Sequence, residues 1–576
     1  MEELALYKQW LDHQLEDSDL ITELSAIEGN KKEIKDRFWR NLEFGTGGLR
    51  GVIGAGTNRM NIYTIRHATQ GMAEYIKSLG GNRCAENQGN CKANSLSYGV
   101  AIAFDSRIKS DYFAREAACV LAANGITTHI FDTLRPTPCL SFAVRELGCA
   151  AGIMVTASHN PAIYNGYKAY GSDGAQLTGE GADFVAKAMD KIDIFADIKY
   201  IPFDKAVSNG LIKIIDKTLM DSFYERVGQT RVHPEVLEKT DLKVVYTPLN
   251  GAGNVPVRKM FDICGLKNVS VVEEQENPDG NFPTCPYPNP EIAEALMQGM
   301  LKLRRENADI LIATDPDCDR CGVAVPDFSV PPKETADSCL SDPKTGGIRI
   351  LTGNEIGSLM LYYICENSTL PKNPQTVKSI VSTRLVDKIA AAYRVQLSAV
   401  LTGFKYIGEF ITSLADKGEE GSFIFGFEES YGYLRGTHCR DKDAVFAAMF
   451  IAEIAAFYKE KNMTLCDVLD EIEQKFGKVV EEVECREFPG EDGVNKMNSV
   501  MSALRKTSPS GAVTIDFLDS GATGLPASNV LKFTYENGST VFIRPSGTEP
   551  KMKVYYSVNS EVELAEKQAE FDKVFN

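Results

Sequence analysis

A strand–helix–strand pattern that recurs three times limits the folds open to this chain more than any other feature. The copies occupy residues 99–132, 242–274 and 379–401, and in the third copy the strands are predicted at 379–382 and 396–400. Each copy is a short apolar run, a helical run and a second apolar run with short connections. Neighbouring parallel strands need a crossover of this kind. The repeat therefore predicts three similar mixed α/β domains.

The C-terminal hundred residues follow a different pattern. Asn537-Gly538 separates the apolar runs 530–535 and 540–543, which is typical of a two-residue β-hairpin, and a helix is predicted over 561–575. This segment predicts a smaller α+β domain. The domain ranges that follow are 1–208, 209–326, 327–470 and 471–576, with surface insertions at 83–97 and 328–346.

Composition and charge exclude several classes of protein. The net charge of −17 opposes general binding to nucleic acid or to anionic membranes. The longest apolar stretch, 444–458, contains Glu453 and is shorter than the ~20 residues of a membrane span, so it predicts a buried helix. The N-terminus has no pattern of a signal peptide, and 14 cysteines are too few for a disulfide scaffold. The pair Cys318 and Cys321 has no second pair nearby, which disfavours a zinc site. A cytoplasmic protein is the expectation.

The segment Thr156-Ala157-Ser158-His159-Asn160-Pro161 follows a short apolar strand, 152–155. Its Asn-Pro pair forces a turn, since proline fixes its own φ and restricts the residue before it. A serine hydroxyl would then lie at the rim of a sheet beside a proton carrier, where a covalent intermediate is plausible. The alternative is a surface turn whose side chains satisfy local backbone groups.

Three carboxylates at alternate positions, Asp315, Asp317 and Asp319, follow the apolar strand 310–313. Such oxygens can converge on one hard cation, with magnesium favoured because water or phosphate oxygens can complete the coordination. A solvated acidic loop is the alternative. An EF-hand is excluded, because its sixth position would be Arg320 and its twelfth Pro326.

Two further segments have the composition of anion-binding loops. The run 44–51, Phe-Gly-Thr-Gly-Gly-Leu-Arg-Gly, combines glycines with Arg50 but fails the dinucleotide fingerprint. The run 544–551, Arg-Pro-Ser-Gly-Thr-Glu-Pro-Lys, gathers many donors and favours a phosphate cradle over a plain hairpin loop. The first segment taken alone would equally suit a flexible turn.

Two more positions are candidates of lower specificity. In 426–432, Glu428 and Ser430 would share one side if the segment stays extended, and could then bind vicinal sugar hydroxyls or merely satisfy a turn. Lys168, ten residues after the serine, could transfer a proton or hold a phosphate, although a lone surface lysine usually does neither.

Taken in order, these segments resemble the α-D-phosphohexomutase superfamily over about residues 44–555, with one motif per predicted domain. The sequences at 44–48 and 426–430 are most similar to the branch of phosphoglucomutases and phosphopentomutases. The resemblance implies four domains around a central active-site cleft. It also implies a Mg²⁺-dependent isomerase that interconverts glucose 1-phosphate and glucose 6-phosphate through a phosphoserine and glucose 1,6-bisphosphate. The expected partner is a small sugar phosphate, and the expected state is a monomer or weak homodimer.

The resemblance also implies a role for each candidate residue. Ser158 would carry the phosphate and complete a magnesium site made by Asp315, Asp317 and Asp319, with Arg50 near the transferring phosphoryl group and His159 and Lys168 as acid/base candidates. The residues expected to bind substrate are Arg320, Lys405, Glu428, Ser430, Arg544, Ser546, Gly547, Thr548 and Lys551.

Three other interpretations remain. A phosphotransferase of the haloacid dehalogenase type would suit a strand followed by Asp315-Pro316-Asp317 but leaves the Ser158 and Arg544 loops unexplained. A non-catalytic relative could bind sugar phosphate as a sensor. A phosphopentomutase, a phosphomannomutase or a sugar-bisphosphate synthase would share every motif, because the loop around Glu428 does not fix the sugar ring or its epimer.

Overall fold

Four β-sheets organise the chain in this computed structural model, which describes residues 2–45, 47–86, 99–327, 347–488, 492–546 and 551–575. Most of the predicted insertion at 83–97 and all of that at 328–346 lie outside the described residues. Three mixed sheets follow one another along the chain and an antiparallel sheet comes last. The predicted fold class is confirmed.

The first sheet has the order β1-β5-β4-β2-β3-β6, in which the pairs from β4 to β6 are parallel and the pairs β1–β5 and β5–β4 are antiparallel. Its strands are Gly48–Val52 (β1), Val100–Phe104 (β2), Thr128–Ile130 (β3), Ala151–Val155 (β4), Tyr164–Gly171 (β5) and Ile212–Ile214 (β6). Every residue of β2 and β4 is buried, as expected for parallel strands covered by helices on both faces.

The second sheet has a similar plan with the order β11-β10-β9-β7-β8, in which three parallel strands, rather than four, are continued by two antiparallel pairings. Its strands are Val244–Thr247 (β7), Val269–Val271 (β8), Ile310–Thr314 (β9), Cys321–Pro326 (β10) and Ile348–Leu351 (β11). The third sheet has the order β13-β12-β14-β15, with only β15 antiparallel. Its strands are Gln375–Ser379 (β12), Gln396–Val400 (β13), Phe423–Glu428 (β14) and Gly432–Leu434 (β15).

One strand prediction in the third repeat was wrong. The strand expected at 379–382 is β12, Gln375–Ser379, and residues after it form a turn that leads to the helix Leu385–Ala392. The apolar letters at 380–381 suggested the later start, whereas polar Gln375 and Thr376 are buried in the sheet. Thr376 Oγ1 satisfies its hydrogen-bonding capacity by donating to the carbonyl oxygen of Phe425 at 2.8 Å.

The fourth sheet is antiparallel throughout, with the order β16-β20-β19-β18-β17. Its strands are Val480–Glu487 (β16), Ala512–Asp516 (β17), Leu531–Tyr535 (β18), Thr540–Pro545 (β19) and Lys551–Val558 (β20). The predicted hairpin is β18–β19, and Gly538 in its turn has φ +83°, a conformation that favours glycine. The predicted helix at 561–575 is confirmed as Glu561–Phe575.

Helices cover the sheets and fill the spaces between them. In chain order they are Glu2–Asp12, Ser18–Ala26, Lys31–Phe38, Ile62–Glu86, Ser110–Ala123, Thr137–Glu146, Gly179–Met189, Phe203–Ser208, Lys217–Gly228, Val236–Lys239, Asn254–Ile263, Glu273–Glu276, Ala293–Arg305, Gly353–Asn367, Leu385–Ala392, Phe404–Asp416, Ala444–Lys459, Leu465–Phe476, Gly493–Lys506, Ser520–Thr523 and Glu561–Phe575. The helix Ala444–Lys459 is buried nearly all round, as its sequence predicted. Among the described residues, no helix is both long enough and apolar enough to cross a bilayer.

The first three domains share one large apolar cluster, and each also has a separate cluster of its own. One apolar cluster runs from Ala101 in the first sheet through Ile312 in the second to Phe427 in the third. The fourth domain has a cluster of its own and contacts the third through a small apolar patch that includes Ile380, Phe542 and Tyr555. The first three sheets are therefore held as one body.

The four predicted domain ranges remain a prediction. Two strands that lie just beyond predicted boundaries join the sheet of the preceding domain: Ile212–Ile214 belongs to the first sheet and Ile348–Leu351 to the second.

Candidate active site

Each of the three mixed sheets carries a candidate functional loop at an equivalent place. In every case a buried strand, β4, β9 or β14, is followed by a turn, and the chain returns as an antiparallel neighbour, β5, β10 or β15. Each turn contains a non-glycine residue in the left-handed region: Ser158 at φ +51°, Cys318 at +51° and Tyr431 at +64°. Such conformations cost free energy and cluster at functional sites. The repeat thus aligns three turns of equivalent construction.

Backbone hydrogen bonds join these turns across the domains. The Thr137 N–H of the first domain donates to the Asp317 carbonyl oxygen at 2.9 Å, and the Cys321 N–H donates to the Tyr431 carbonyl oxygen at 3.0 Å. The aspartate loop of the second domain is consequently held between the start of the helix Thr137–Glu146 of the first domain and the hairpin turn of the third.

Ser158 lies at the centre of this junction and is only 4% exposed. Its hydroxyl donates to Asp315 Oδ2 at 2.9 Å and lies 3.3 Å from His159 Nδ1. Its backbone N–H donates to Thr156 Oγ1 at 2.7 Å. Burial, reinforced by the charges of Arg320 and Arg50, lowers the pKa of His159 well below its usual 6.5, so the imidazole is neutral at physiological pH.

Arg107 holds the serine turn in place, a role the sequence did not reveal. Its guanidinium donates to the carbonyl oxygens of Ser158 and Asn160, and to those of Pro161 at 2.9 Å and Tyr164 at 3.0 Å. Asp105 lies 3.5 Å from Arg107 Nε, and both side chains are wholly buried. One arginine therefore satisfies four backbone acceptors of a turn that carries a strained residue.

Replacing Arg107 with methionine is expected to lower the free energy of unfolding by about 3–5 kcal/mol. The substitution leaves the Asp105 carboxylate buried without its counter-ion and removes the donors from the turn. Urea unfolding followed by circular dichroism measures the change. Arg115→Met is the matched control, because Arg115 is exposed and its guanidinium lies 5.0 Å from the Phe203 ring; an equal loss in both variants would contradict the role given to Arg107.

The three aspartates converge as the sequence predicted. One carboxylate oxygen of each lies within 4.8 Å of those of the other two, and Asp315, Asp317 and Asp319 are all buried. Asp315 Oδ1 accepts the N–H groups of Asp319 and Arg320, both at 3.0 Å. Burial and then the two neighbouring carboxylates raise the pKa of Asp315 well above its ordinary value.

The residues fit a divalent cation. Asp317 Oδ1 and Asp319 Oδ1 are buried and have no hydrogen-bond partner among the described residues, which is costly unless something positive binds them. A set of carboxylate oxygens beside a hydroxyl suits a hard ion such as Mg²⁺. A second group of possible metal ligands consists of His438, Cys439 and Asp443. Two of these are already paired with each other, since His438 Nε2 and Asp443 Oδ2 are hydrogen-bonded at 2.8 Å.

Two lysines balance the negative charge of the cluster. Lys168 Nζ lies 2.8 Å from Asp317 Oδ2 and 3.5 Å from Asp319 Oδ2, whereas Lys442 Nζ lies 3.1 Å from Asp319 Oδ2. Burial alone would raise the pKa of Asp317, but Lys168 holds it below its ordinary value. Burial opposes the charge of Lys168, yet the two aspartates raise its pKa, so it stays protonated. Lys168 was a sequence candidate; Lys442 was not.

A glycine-rich loop at 250–253 supports the aspartate loop from behind. A Cβ atom on Gly251 would lie 2.5 Å from Pro316 Cα, and the Ala252 N–H donates to the Pro316 carbonyl oxygen at 2.7 Å. The glycine is needed here for close backbone approach, so this loop is part of the scaffold.

Arg50 is positioned by β1, which pairs antiparallel with β5 so that Arg50 faces Gly166 and Gly48 faces Lys168. A Cβ on Gly48 would lie 2.0 Å from the Tyr167 carbonyl oxygen, which explains a glycine at this point. Arg50 Nη1 donates to Asn160 Oδ1 at 3.4 Å, and the charges of Asp317 and Asp319 act on it. Arg50 is exposed and lies beside the serine turn.

The segment that carries Glu428 and Ser430 does not stay extended, so the condition under which they would share one side is not met. Glu428 ends β14, and residues 429–431 form a tight turn into β15, with Glu428 paired to Gly432. Glu428 is buried and accepts the Gly403 N–H at 2.5 Å. Burial raises its pKa to about 7, although Lys442 and the Gly403 amide oppose the shift.

The remaining candidates surround this centre at greater distance. Arg320 Nη1 donates to Glu291 Oε1 at 2.5 Å, and its charge acts on Glu428 and His159. Lys405 is half-buried in the first turn of the helix Phe404–Asp416, with Nζ 4.9 Å above the Tyr406 ring. Ser430 lies in the hairpin turn and is partly exposed.

The fourth domain carries the candidate phosphate cradle. Arg544 lies in β19 and is hydrogen-bonded to Tyr555, the Ser546 N–H donates to the Lys551 carbonyl oxygen at 2.7 Å, and Lys551 Nζ lies 3.3 Å from Glu487 Oε1. Gly547 and Thr548 lie outside the described residues. The cradle therefore lies in the fourth domain, which has an apolar core of its own.

Comparisons with known proteins match each of the four domains. Four family profiles, described as phosphoglucomutase/phosphomannomutase α/β/α domains I, II and III and the C-terminal domain, match residues 41–194, 221–328, 352–476 and 487–574. A phosphoglucomutase of Staphylococcus aureus is 34% identical over 542 residues, which cover 91% of each chain. A phosphoglucomutase of Staphylococcus saprophyticus is 33% identical over 541 residues, covering 90% of this chain and 91% of the other.

Solved structures share the fold. A phosphoglucomutase/phosphomannomutase family protein of Burkholderia thailandensis superposes with a TM-score of 0.66 at 20% identity, covering 92% of this chain and 96% of the other. The open form of parafusin, a phosphoglucomutase from Paramecium, gives a TM-score of 0.65 at 18% identity over 93% of this chain and 95% of the other. With all four domains matched in order and a relative at 34% identity along nearly its whole length, the chain belongs to the phosphoglucomutase/phosphomannomutase family.

Proposed function

We propose that this protein is a phosphoserine mutase that interconverts glucose 1-phosphate and glucose 6-phosphate. The observation that carries the proposal is the hydrogen bond of 2.9 Å from Ser158 Oγ to Asp315, inside a buried cluster of three aspartates. A hydroxyl in that position can carry a phosphate whose oxygens complete the coordination of a cation. The phosphoglucomutases that match over 91% of the chain support the choice of reaction.

The residues around Ser158 supply the charge that phosphoryl transfer needs. Mg²⁺ held by Asp315, Asp317 and Asp319 would neutralise negative charge on the phosphoryl oxygens. On the other side, Lys168 lies against Asp317 and Arg50 lies beside the serine turn, so each can approach the same oxygens. Positioning and electrostatic stabilisation account for most of the catalysis in reactions of this kind.

Proton transfer is assigned to Lys168 or His159. The neutral imidazole of His159, 3.3 Å from Ser158 Oγ, can accept the proton of that hydroxyl when the phosphate returns to it. Lys168 stays protonated beside Asp317 and can donate to a leaving oxygen of the sugar.

Substrate binding is divided between the third and fourth domains. Glu428 and Ser430, with Arg320 and Lys405 nearby, would bind sugar hydroxyls. The segment that contains Arg544, Ser546, Gly547, Thr548 and Lys551 would bind the phosphate that does not react. A cradle that holds phosphate rather than sugar accepts both orientations of glucose 1,6-bisphosphate, the proposed intermediate. Closure of the fourth domain would exclude water from the phosphoserine. The free thiols of the described cysteines support a cytoplasmic location.

Phosphorus NMR of glucose 1-phosphate with purified enzyme, Mg²⁺ and a trace of glucose 1,6-bisphosphate tests the proposal. The 6-phosphate resonance is expected to grow at the expense of the 1-phosphate resonance. Conversion of mannose 1-phosphate but not of glucose 1-phosphate would indicate a phosphomannomutase. Conversion of ribose 1-phosphate alone would indicate a phosphopentomutase. No reaction with any of the three would favour a non-catalytic sugar-phosphate-binding protein.

Substrate affinity is expected to rise as the pH increases through about 7, because only the ionised Glu428 is a full acceptor for sugar hydroxyls. The groups acting on it are Lys442, Glu429, Arg320 and the Gly403 amide. The raised pKa has the opposite effect on folding: the contribution of Glu428 to stability is full below pH 4.5 and is lost as the pH rises through about 7.

The pH dependence of KM measures the effect on binding, and Glu428→Gln is expected to remove the inflection near pH 7. In Glu429→Gln, the comparison variant, the inflection should persist but move to lower pH, because the Glu429 carboxylate, which accepts from Ser379 Oγ at 2.7 Å, helps to raise the pKa of Glu428. An inflection that persists in Glu428→Gln would assign it to another group.

A further inference from the structure

A second concave site lies where the first three domains meet. It is a cavity of about 580 Å³ lined by the helix Thr137–Glu146 of the first domain, the helix Lys217–Gly228, and residues 420–424 and 435–438 of the third. It shares no residue with the candidate active site described above. Its volume is large enough for a metabolite-sized molecule.

The charges that line the cavity favour an anion. Arg145, Arg226 and Arg435 line it together with Glu146 and Glu420. Glu420 is already neutralised, because its Oε1 accepts from Arg440 Nη2 at 2.6 Å and lies 3.6 Å from Arg145 Nη2. In a chain of net charge −17, three arginines around one cavity are unusual, and they favour the binding of a negatively charged group there.

Arg435 lines the cavity with a guanidinium that is incompletely hydrogen-bonded. Its Nη1 is buried without a hydrogen-bond partner in the described part of the chain, and its guanidinium lies 5.5 Å from the Phe450 ring. Burial lowers the pKa of Arg435 to about 10. Glu453, the acid that acts on it most, uses Oε1 to accept the Val232 and His233 N–H groups and the Tyr363 hydroxyl, while its Oε2 is buried without a hydrogen-bond partner among the described residues. A partly buried guanidinium with an unpaired N–H group is stabilised by an anionic acceptor.

We propose that this cavity is a binding site for a small phosphate-bearing anion, distinct from the active site. Arginine forks suit phosphate oxygens because they donate two hydrogen bonds in a fixed geometry. Arg435 and Arg226 are the residues that contact the phosphate, and Arg145 contributes to the positive potential.

The wall of the cavity is connected to the aspartate cluster. His438 lines the cavity and contacts Asp443, whose Oδ1 accepts the Phe446 N–H at 2.9 Å at the start of the helix Ala444–Lys459. Lys442, the neighbour of Asp443, lies 3.1 Å from Asp319. An anion that orders residues 435–438 therefore also stabilises the segment that holds Lys442. Any effect of the anion on turnover rests on the proposed mutase function, whereas its binding does not.

Isothermal titration with inorganic phosphate in the absence of Mg²⁺ tests the site. The full-length Arg544→Ala variant is used as the background, because it weakens phosphate binding at the cradle of the fourth domain. One phosphate site is expected to remain in it. Adding Arg435→Gln is expected to weaken that site by about 10- to 100-fold, the value of a charge-assisted hydrogen bond. Arg226→Glu, at an exposed position, is expected to weaken it by a similar factor.

Hydrogen exchange supplies a readout that does not depend on activity. Phosphate is expected to protect the amides of 435–443 in the Arg544→Ala background but not after Arg226→Glu. Arg305→Glu is the control, because Arg305 is 70% exposed on a helix that does not line the cavity. Glycerol 3-phosphate titrated in parallel distinguishes occupants: tighter binding than inorganic phosphate assigns the cavity to phosphate esters, and equal or weaker binding assigns it to the free ion.

Two results would overturn the proposal. One is the absence of phosphate binding in the Arg544→Ala background. The other is an affinity unchanged by both Arg435→Gln and Arg226→Glu. Neither result would alter the proposed mutase function, which is judged by the phosphorus NMR experiment.

Discussion

Replacing Ser158 with alanine is expected to reduce kcat for the conversion of glucose 1-phosphate by about 10⁴-fold or more, the scale seen when a covalent nucleophile is removed. The change deletes the oxygen that receives the phosphate and the hydrogen bond of 2.9 Å to Asp315. The fold should be retained, since Arg107 holds the turn through backbone carbonyl oxygens that alanine keeps. A coupled assay of glucose 6-phosphate formation measures the loss, and mass spectrometry after incubation with glucose 1,6-bisphosphate measures the phosphate carried by the protein.

The matched control is Ser208→Ala at the end of the helix Phe203–Ser208, where the hydroxyl donates to the Asp204 carbonyl oxygen at 2.8 Å. It should retain full activity and full phosphorylation. A Ser158→Ala enzyme with more than a tenth of the activity would contradict a phosphoserine mechanism. That result would favour an aspartyl nucleophile in the loop after β9, as in phosphotransferases of the haloacid dehalogenase type.

The sequence was sufficient to predict the three repeated α/β units and the loops that carry Ser158 and the aspartates. These features are local: an apolar strand ends, polar residues follow, and the chain reverses within a few residues. The structure adds why the loops meet. In both the first and the second sheet, the last parallel strand is followed by a turn and an antiparallel neighbour. The turn after β9 therefore occupies the same place in its sheet as the turn after β4. Topological equivalence of this kind cannot be seen in a single loop sequence.

The residues that sequence analysis missed are those whose role depends on pairing across the fold. Arg107 follows a predicted strand, but nothing nearby indicates that it reaches four carbonyl oxygens beyond residue 157. Lys442 lies between Asp441 and Asp443, where local pairing would explain its charge, yet it also contacts Asp319 in another domain. The turn after Glu428 was left open for a related reason, because it became evident only from the pairing of Glu428 with Gly432.

Asp317→Asn is expected to abolish most of the Mg²⁺ affinity and to lower kcat about 10³-fold, because electrostatic stabilisation of the transferring phosphoryl group is lost. Asp317 Oδ2 already accepts from Lys168 Nζ and Thr137 Oγ1, whereas Oδ1 is buried without a partner among the described residues and is the oxygen free to bind a cation. An amide keeps the shape of the side chain but removes the charge. If the amide NH₂ group of the variant occupies the position of Oδ1, it also presents a donor where the cation requires an acceptor.

The shift of the melting temperature with Mg²⁺ measures the loss of Mg²⁺ affinity independently of any effect on catalysis. For the wild-type protein, Mg²⁺ at 100 times its Kd should add about 2.7 kcal/mol to the free energy of unfolding, and for Asp317→Asn the shift should nearly vanish at the same concentration. Asp309→Asn is the matched control, because Asp309 precedes the opposite end of the same strand β9 and its Oδ2 accepts from Lys459 Nζ at 2.8 Å. An unchanged shift in Asp317→Asn, or an equal loss in Asp309→Asn, would mean that Mg²⁺ is bound elsewhere. Only the end of β9 that bears the aspartates is adjacent to Ser158. A loss of the Mg²⁺ shift that is confined to Asp317→Asn would therefore place the cation beside the hydroxyl that is proposed to carry the phosphate.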